Sequence, residues 1–215
     1  ISGNFAIAGT RRDDDGGRWS GAAYVFNAIT GEELRKLTAD DAEETDNLGV
    51  PLDIEGNLAI LGGTHAEWLQ SGYGKAYVFD VTNGNQLRKF TADDVGGLVD
   101  DWFELDVAIS GTTALIGAKK NDDKGEDAGS AYLFDVDTGN LLHTLNAEDA
   151  VAGNWFGRNV AISGDTAVVG SNDGVYVFDV TSGDQLRKLS GSFSATTKGD
   201  GLALDGDNAI VSAGN

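Results

Sequence analysis

The side chains best suited to binding a ligand are carboxylates, and they are concentrated in two short polar segments. Three consecutive aspartates precede a Gly-Gly pair in the first segment, and a segment of similar character lies near the middle of the chain. Calcium takes six to eight oxygen ligands, mostly carboxylates and carbonyls on a loop that can curl around the ion. The sequence therefore predicts Ca²⁺ as a candidate cofactor, with solvated acidic loops as the alternative. The candidate calcium ligands are Asp13, Asp14, Asp15, Asp122, Asp123 and Asp127.

Residues for other chemistry are sparse. The chain has no cysteine, which excludes thiolate metal sites and cysteine nucleophiles. Its two histidines, His65 and His143, do not have the spacing of a zinc site. Acidic pairs recur at Asp40-Asp41, Asp93-Asp94 and Glu148-Asp149, and we predict that they accept backbone N–H groups where repeats join. A glycosidase needs one distinctive carboxylate pair, so the recurrence argues against that activity. No catalytic residue is predicted.

Charge and hydropathy limit the partners. The net charge is −20, which argues against nucleic acid and anionic membrane surfaces because little could neutralise phosphates. No apolar run approaches the roughly 18 residues needed to span a bilayer, so no membrane insertion is predicted. Trp19 and Trp68 lie in loops beside acids, where an aromatic ring could stack on a sugar, with half-buried packing as the commoner alternative. We therefore expect a protein or glycan partner bound through the loops, with assembly of copies of the chain as a further option.

These loops connect the copies of one repeated stretch. Its tyrosine occurs at positions 24, 77, 132 and 176, with spacings of 53, 55 and 44 residues. A period of this size indicates stacked copies of one supersecondary unit within a single domain that covers residues 1–215. The approximate units are 1–46, 47–100, 101–153, 154–198 and a partial unit at 199–215.

Each unit contains four strand-like segments, which in the third unit are 103–110, 114–118, 131–136 and 141–145. Side chains alternate faces along a strand, so three successive apolar residues such as Tyr132-Leu133-Phe134 require protein on both faces of the sheet. Radially packed sheets meet this requirement. The predicted fold is all-β, a β-propeller of four-stranded antiparallel blades with about four blades plus a partial one. It is either a segment of a larger propeller or a small closed one.

The fourth segments are basic in an otherwise acidic chain. Six of the 15 Lys and Arg residues lie there, at Arg35, Lys36, Arg88, Lys89, Arg187 and Lys188. Cations on an outermost strand discourage edge-to-edge pairing of sheets, and this is the role we predict for them. A functional basic patch is the alternative.

The repeat resembles the FG-GAP repeat of integrin-α-like β-propellers. The resemblance is clearest over residues 154–170, where Phe156-Gly157 stands at the family's Phe-Gly, and Leu48-Gly49 stands there in the second unit. The resemblance implies an extracellular or cell-surface scaffold used in adhesion or assembly, without catalysis. The calcium loop of integrins between the first two strands is absent, because Ser163-Gly164-Asp165-Thr166 is a tight turn with too few carboxylates.

The predicted function is therefore a non-enzymatic scaffold outside the cell, with calcium as its candidate ion. The motif at residues 176–180 and its copies is also similar to blades of quinoprotein-type propellers. The alternative is accordingly a carbohydrate-active or quinoprotein-like propeller enzyme whose catalytic parts lie outside this segment.

Overall fold

A computed structural model describes residues 1–63, 74–96, 103–189, 201–206 and 208–211, with the backbone alone at 103–105. Short runs rich in Val, Ile, Tyr and Phe between glycine turns form strands throughout. A single turn of 3-10 helix, Ala92–Val95, follows the seventh strand. The strands are β1 Phe5–Thr10, β2 Ala22–Asn27, β3 Glu33–Leu37, β4 Leu52–Glu55, β5 Leu58–Gly63, β6 Lys75–Asp80, β7 Gln86–Thr91, β8 Phe103–Ser110, β9 Thr113–Ala118, β10 Ser130–Asp135, β11 Leu141–Leu145, β12 Asn159–Ser163, β13 Thr166–Gly170, β14 Val175–Asp179, β15 Gln185–Leu189, β16 Leu202–Asp205 and β17 Asn208–Val211.

The strands form five antiparallel sheets in chain order, which we number as blades one to five. Blades two, three and four have four strands each, in the orders β4-β5-β6-β7, β8-β9-β10-β11 and β12-β13-β14-β15. Blade one has β1-β2-β3 and blade five has β16-β17. The first strands β4, β8 and β12 pack against one another, and β12 packs against β16. This arrangement is a partial β-propeller and confirms the predicted fold class.

The hydrophobic core lies between neighbouring blades. Tyr132 and Phe134 of β10 face blade two, where Phe134 stacks on Phe90 with ring centroids 4.5 Å apart. Leu133 between them faces blade four and packs in one cluster with Phe156. All of these side chains are buried, which confirms that the apolar triplet meets protein on both faces. Each such burial contributes about 1.5–3 kcal/mol, so the stacking of blades is the main source of stability.

The antiparallel strand order gives the molecule two faces. Turns between strands one and two, and between strands three and four, lie on one face, which we call the turn face. Loops between strands two and three and the linkers between blades lie on the opposite face, which we call the loop face. The candidate calcium ligands are therefore all on the loop face.

A repeated hydrogen bond on the turn face sets the position of each blade against the next. The residue at the end of a first strand uses its side-chain oxygen to accept the N–H of the turn glycine in the following blade. That glycine has φ near +55° in each copy, for example +55° at Gly111 and +54° at Gly164. The acceptor and donor pairs are Ser2 and Gly56 (2.9 Å), Glu55 and Gly111 (2.8 Å), Ser110 and Gly164 (3.0 Å), and Ser163 and Gly206 (3.0 Å).

Candidate functional site

The two acidic loops have the same backbone conformation. The first-blade loop covers residues 13–21 and the third-blade loop covers residues 121–129. Trp19 and Asp127 hold the same place in them, with φ of +59° and +53°. Asp14 Oδ1 accepts the backbone N–H of Trp19 at 2.7 Å, and Asp122 Oδ1 accepts that of Asp127 at 2.6 Å. One predicted calcium ligand in each loop is thus used to close the loop on itself.

Both loops also hold the segment that leads into the next blade. Three N–H groups of residues 45–48 donate to carbonyl oxygens of residues 18–20, and residues 153–156 donate in the same way to residues 126–128. The bonds form a short parallel ladder with one backbone bridge at Gly21 and Leu48 and another at Gly129 and Phe156. The acidic loops therefore connect blade one to blade two, and blade three to blade four, through backbone hydrogen bonds.

In the first-blade loop a lysine lies between two of the predicted calcium ligands, and calcium binding by Asp13, Asp14 and Asp15 stays a prediction. Lys36 of β3 places its Nζ 2.6 Å from Asp13 Oδ1 and 2.5 Å from Asp15 Oδ2, where an ion bound by both carboxylates would lie. Asp13 Oδ2 accepts the hydroxyl of Tyr24 at 3.0 Å. Burial is the largest single influence on Asp13 and opposes its ionisation, but the hydrogen bonds from Lys36, the Asp15 backbone and Tyr24, together with the Lys36 charge, outweigh it and hold the pKa of this carboxyl below its ordinary value. One ammonium group therefore offsets part of the charge of this carboxylate pair.

The third-blade loop has three carboxylates without a hydrogen-bond donor. Within the described residues, the carboxylates of Asp123, Glu126 and Asp127 accept no hydrogen bond, whereas Asn121 Oδ1 accepts bonds from the Asp123 backbone and from Ser130 Oγ. No group of three or more His, Cys, Asp or Glu side chains in the described part of the chain is placed to hold a metal. Calcium binding by Asp122, Asp123 and Asp127 stays a prediction.

The linker acids meet lysines and tyrosines of the following blade. Asp41 accepts the hydroxyl of Tyr77 at 3.0 Å and the ammonium of Lys89 at 2.5 Å. Burial opposes ionisation of Asp41, but these two hydrogen bonds prevail and lower its pKa. Each such cluster joins a linker to the outer strands of the next blade, so it braces a junction.

The same cluster recurs in blade four. Asp149 accepts Tyr176 Oη at 2.9 Å and Lys188 Nζ at 2.9 Å, and Asp173 joins it with Lys188 Nζ at 3.0 Å. Asp94 differs, because it accepts the backbone N–H of Thr91 at 2.7 Å. The predicted role of the acidic pairs as acceptors for backbone N–H groups therefore holds for Asp94, whereas Asp41 and Asp149 accept side-chain donors instead.

The outer-strand cations contact the next blade. Arg88 of β7 donates to the carbonyl of Asp137 in the β10-β11 turn of blade three. Arg35 of β3 lies in the equivalent place, 3.6 Å from where a side chain on Gly84 of blade two would begin. These cations lie on edge strands, so the predicted role in edge protection stays a prediction, and the structure adds contacts in which Arg35 and Arg88 reach across junctions and Lys36, Lys89 and Lys188 pair with aspartates.

The Phe-Gly pair allows two blades to approach closely. Phe156 is fully buried between blades three and four, and the Gly157 backbone passes so near β9 that a Cβ on Gly117 would lie 1.9 Å from Gly157 O. At the junction of blades one and two, Gly9 and Gly49 hold the equivalent positions, and a Cβ on Gly9 would lie 1.8 Å from Gly49 O. Only residues without a side chain can occupy these positions, which accounts for the glycines on both sides of the junction.

A family model of the FG-GAP repeat matches the chain three times, over residues 32–79, 85–134 and 141–184. The chain belongs to the FG-GAP repeat family. Each matched FG-GAP repeat begins at or just before the outermost strand of one blade and runs through the third strand of the next, so the sequence repeat spans a blade junction. A comparison with curated proteins finds no match.

Two acids of the FG-GAP blades were not expected from the sequence. Asp53 Oδ2 accepts the N–H of Ile109 in the next blade at 2.9 Å, and Asp106 Oδ2 accepts that of Val160 at 2.9 Å. Burial raises the pKa of Asp106 to about 6, against the effect of its two backbone hydrogen bonds. The available signal was an aspartate within an otherwise apolar strand pattern, which requires partners inside the protein.

Of the two tryptophans considered for sugar stacking, the structure describes only Trp19. The partly exposed ring of Trp19 has the guanidinium of Arg18 at 4.5 Å and that of Arg12 at 5.6 Å from its centroid. These cations cover part of the ring, so Trp19 is a packing element of the first-blade loop. Trp68 and His65 lie outside the described residues. In the described part of the FG-GAP chain, no helix is long and apolar enough to cross a membrane.

Proposed function

We propose that this FG-GAP chain is a non-enzymatic β-propeller scaffold at the cell surface or in the extracellular space, where it acts in adhesion or structural assembly. The observation that supports the proposal is the use of the charged groups. Clusters such as Asp41, Tyr77 and Lys89 recur from blade to blade and brace junctions. An enzyme would need a set of unlike groups gathered in one pocket.

The family is consistent with this proposal. FG-GAP repeats are generally non-enzymatic and typically occur in extracellular proteins. A rigid array of blades also presents its loops at fixed spacing, and loops on a rigid scaffold are where binding residues concentrate.

The adhesive surface is the loop face at blade three. Asp123 and Asp127, like Glu126 between them, make no side-chain hydrogen bond in the described chain, so their charge is available to a partner. The partner is a protein or a glycan, or a second copy of the chain, and a calcium ion held with Asp122 could bridge the two. Net charge of −20 disfavours direct contact between copies unless such an ion intervenes.

Adhesion of coated beads tests the proposal. Beads carrying the chain are allowed to settle on cells, on immobilised glycans and on a layer of the same chain, in 2 mM (about physiological) CaCl₂ or in EDTA. We expect the double variant Asp123→Asn and Asp127→Asn to reduce bead retention several-fold. The matched control, Asp137→Asn with Asp184→Asn, removes the same charge from the turn face and should retain binding. Equal retention of both variants, or no retention of the parent chain on any surface, would contradict the proposal.

A further inference from the structure

A cleft on the turn face between blades three and four has no role in the proposed function. Its volume is about 640 Å³. The lining combines two apolar side chains, Leu142 and Val180, with hydroxyl groups, the imidazole of His143 and the carboxylates of Glu55 and Asp165. The cleft lies on the face opposite the acidic loops, so it can be tested separately from the adhesive surface.

The cleft exists because histidine replaces arginine at one repeat position. Arg35 and Arg88 occupy this position in blades one and two, and the Nε atom of each is buried between blades. Arg88 lies 3.5 Å from the Cβ position of Gly139, and the His143 ring lies against the Cβ position of Gly183, which is the same place in the next turn. The imidazole is shorter than the arginine side chain and therefore fills less of the junction.

The shorter residue makes the equivalent contact to the turn. Arg88 donates to the carbonyl of Asp137, and His143 Nε2 lies 3.0 Å from the carbonyl of Thr181, the corresponding residue of blade four. Compared with the two junctions that contain Arg35 and Arg88, this junction has the same carbonyl acceptor but no guanidinium.

The same junction has gained a carboxylate. Asp165 follows the turn glycine in blade four, whereas Asn57 and Thr112 follow it in blades two and three. Neither Asp165 nor Thr112 makes a side-chain hydrogen bond within the described residues, and both are exposed in the cleft lining. One junction has therefore exchanged an internal cation for an available anion.

We propose that this cleft binds a guanidinium group, which takes the place that an internal arginine fills at the neighbouring junctions. A carboxylate binds a guanidinium through two parallel hydrogen bonds, and the planar cation can stack on the imidazole of His143. Hydroxyl groups of Thr112 and Ser110 add acceptors, and the net charge of −20 attracts a cation from a distance. The group is either a small free molecule or an arginine side chain on a partner.

Calorimetric titration with capped arginine tests the assignment. The probe is N-acetyl-arginine amide, and the control probe is N-acetyl-citrulline amide, which has the same shape without the charge. We expect one molecule of the arginine probe per chain and at least tenfold weaker binding of citrulline. Asp165→Asn should weaken the arginine probe at least tenfold. His143→Arg should abolish binding without lowering the melting temperature, because it restores the residue found in blades one and two.

A transplanted cleft provides the reciprocal test. The double variant Arg88→His with Thr112→Asp brings the histidine and the carboxylate of the cleft to the junction of blades two and three, and a second arginine probe per chain should bind. Because Thr112 also lines the original cleft, Thr112→Asp alone is titrated as the control for that site. Tighter binding of capped than of free arginine indicates a partner's side chain, and equal binding indicates a free molecule. Binding of citrulline equal to that of arginine, or undiminished binding by a folded His143→Arg or Asp165→Asn variant, overturns the proposal. Loss of bead adhesion bears on the loop face alone, so the two proposals can fail independently.

Discussion

At the scale of single residues, the cost of charge inside the propeller depends on which groups surround it. Asp41 and Asp149 have lysine and tyrosine donors, and the pKa of each is below its ordinary value. Asp106 has two backbone N–H donors and no cation among its contacts, and its pKa is raised to about 6. Desolvation of Asp106 therefore exceeds the stabilisation that its hydrogen bonds supply.

The raised pKa of Asp106 predicts a loss of stability with rising pH. Below about pH 4 this acid is protonated in both folded and unfolded chains, and between about pH 4 and 6 it ionises first in the unfolded chain. The Asp106 contribution to the free energy of unfolding should therefore fall by on the order of 2 to 3 kcal/mol as the pH rises through this window. Urea unfolding at pH 4 and pH 7 measures it.

Asp106→Asn provides the comparison for this measurement, since an amide does not titrate. From pH 4 to pH 7, the free energy of unfolding of the variant should increase relative to that of the parent chain by about the same amount. A constant difference in unfolding free energy between variant and parent would show that the carboxyl titrates normally.

The lysine clusters predict a second residue-scale effect. Lys188→Met leaves Asp149 and Asp173 facing each other across Tyr176, with no cation between them. Because the ammonium is about one-third exposed, solvent screens the pair and we expect a loss of only about 1 kcal/mol. Melting curves should show that this loss of stability becomes smaller in 0.5 M NaCl, where the Debye length is roughly 4 Å. A loss that is independent of salt would assign the effect to packing of the lysine stem.

At the scale of elements, glycine positions decide how closely blades approach. Gly157 has φ of +86°, and a Cβ there would lie 2.1 Å from Ser130 O and 2.9 Å from Ala118 N. Gly111 has φ of +55° with no atom within 4 Å of its Cβ position. The two residues share a left-handed backbone but differ in their surroundings, so they separate conformational strain from steric exclusion.

Substitution of these two glycines should give unequal losses. Gly111→Ala should cost about 1 kcal/mol, the ordinary cost of a left-handed backbone in a residue with a side chain. Gly157→Ala should cost more than about 3 kcal/mol, because two backbones must also separate and the packing around Phe156 loosens. Denaturant unfolding of both variants measures the difference. Equal losses would mean that close approach at the Phe-Gly pair contributes nothing.

At the scale of the whole molecule, the acidic excess opposes compaction. The chain has 35 acidic and 15 basic residues, and several of the lysines are committed to the junction clusters. The remaining negative charge repels itself across the propeller, and salt screens this repulsion over about 10 Å at 0.1 M. The balance between general screening and specific ion binding can therefore be measured on the intact chain.

Salt should raise the melting temperature by several degrees, because screening of the acidic surface outweighs the weakening of partly exposed lysine clusters. Calcium chloride is compared with sodium chloride at the same ionic strength. An additional shift with calcium that is absent from the Asp123→Asn and Asp127→Asn double variant would support an ion at the third-blade loop. Identical curves in the two salts would leave no calcium site, and a falling melting temperature would contradict the repulsion argument.

Much of the architecture follows from local patterns in the sequence. The Tyr-aliphatic-Phe triplets require both faces of a strand to be buried, and their period indicates stacked blades, because side-chain alternation is a local property of every strand. The glycines in the turns likewise indicate a left-handed backbone at those positions. Individual acids were less predictable, since a carboxylate in a loop has the same sequence appearance whether it binds calcium, caps a backbone or meets a lysine.

The repeat pattern alone determined that the chain forms blades and in what order the strands pair. The partners of its charged side chains were decided by tertiary structure. Lys36 pairs with Asp13 and Asp15 because β3 lies beside a loop 20 residues or more away in the chain, and His143 lines one cleft with Asp165 because the two lie on neighbouring blades. Such contacts depend on how distant segments of the chain fold together, and the sequence pattern does not show which acid meets which lysine.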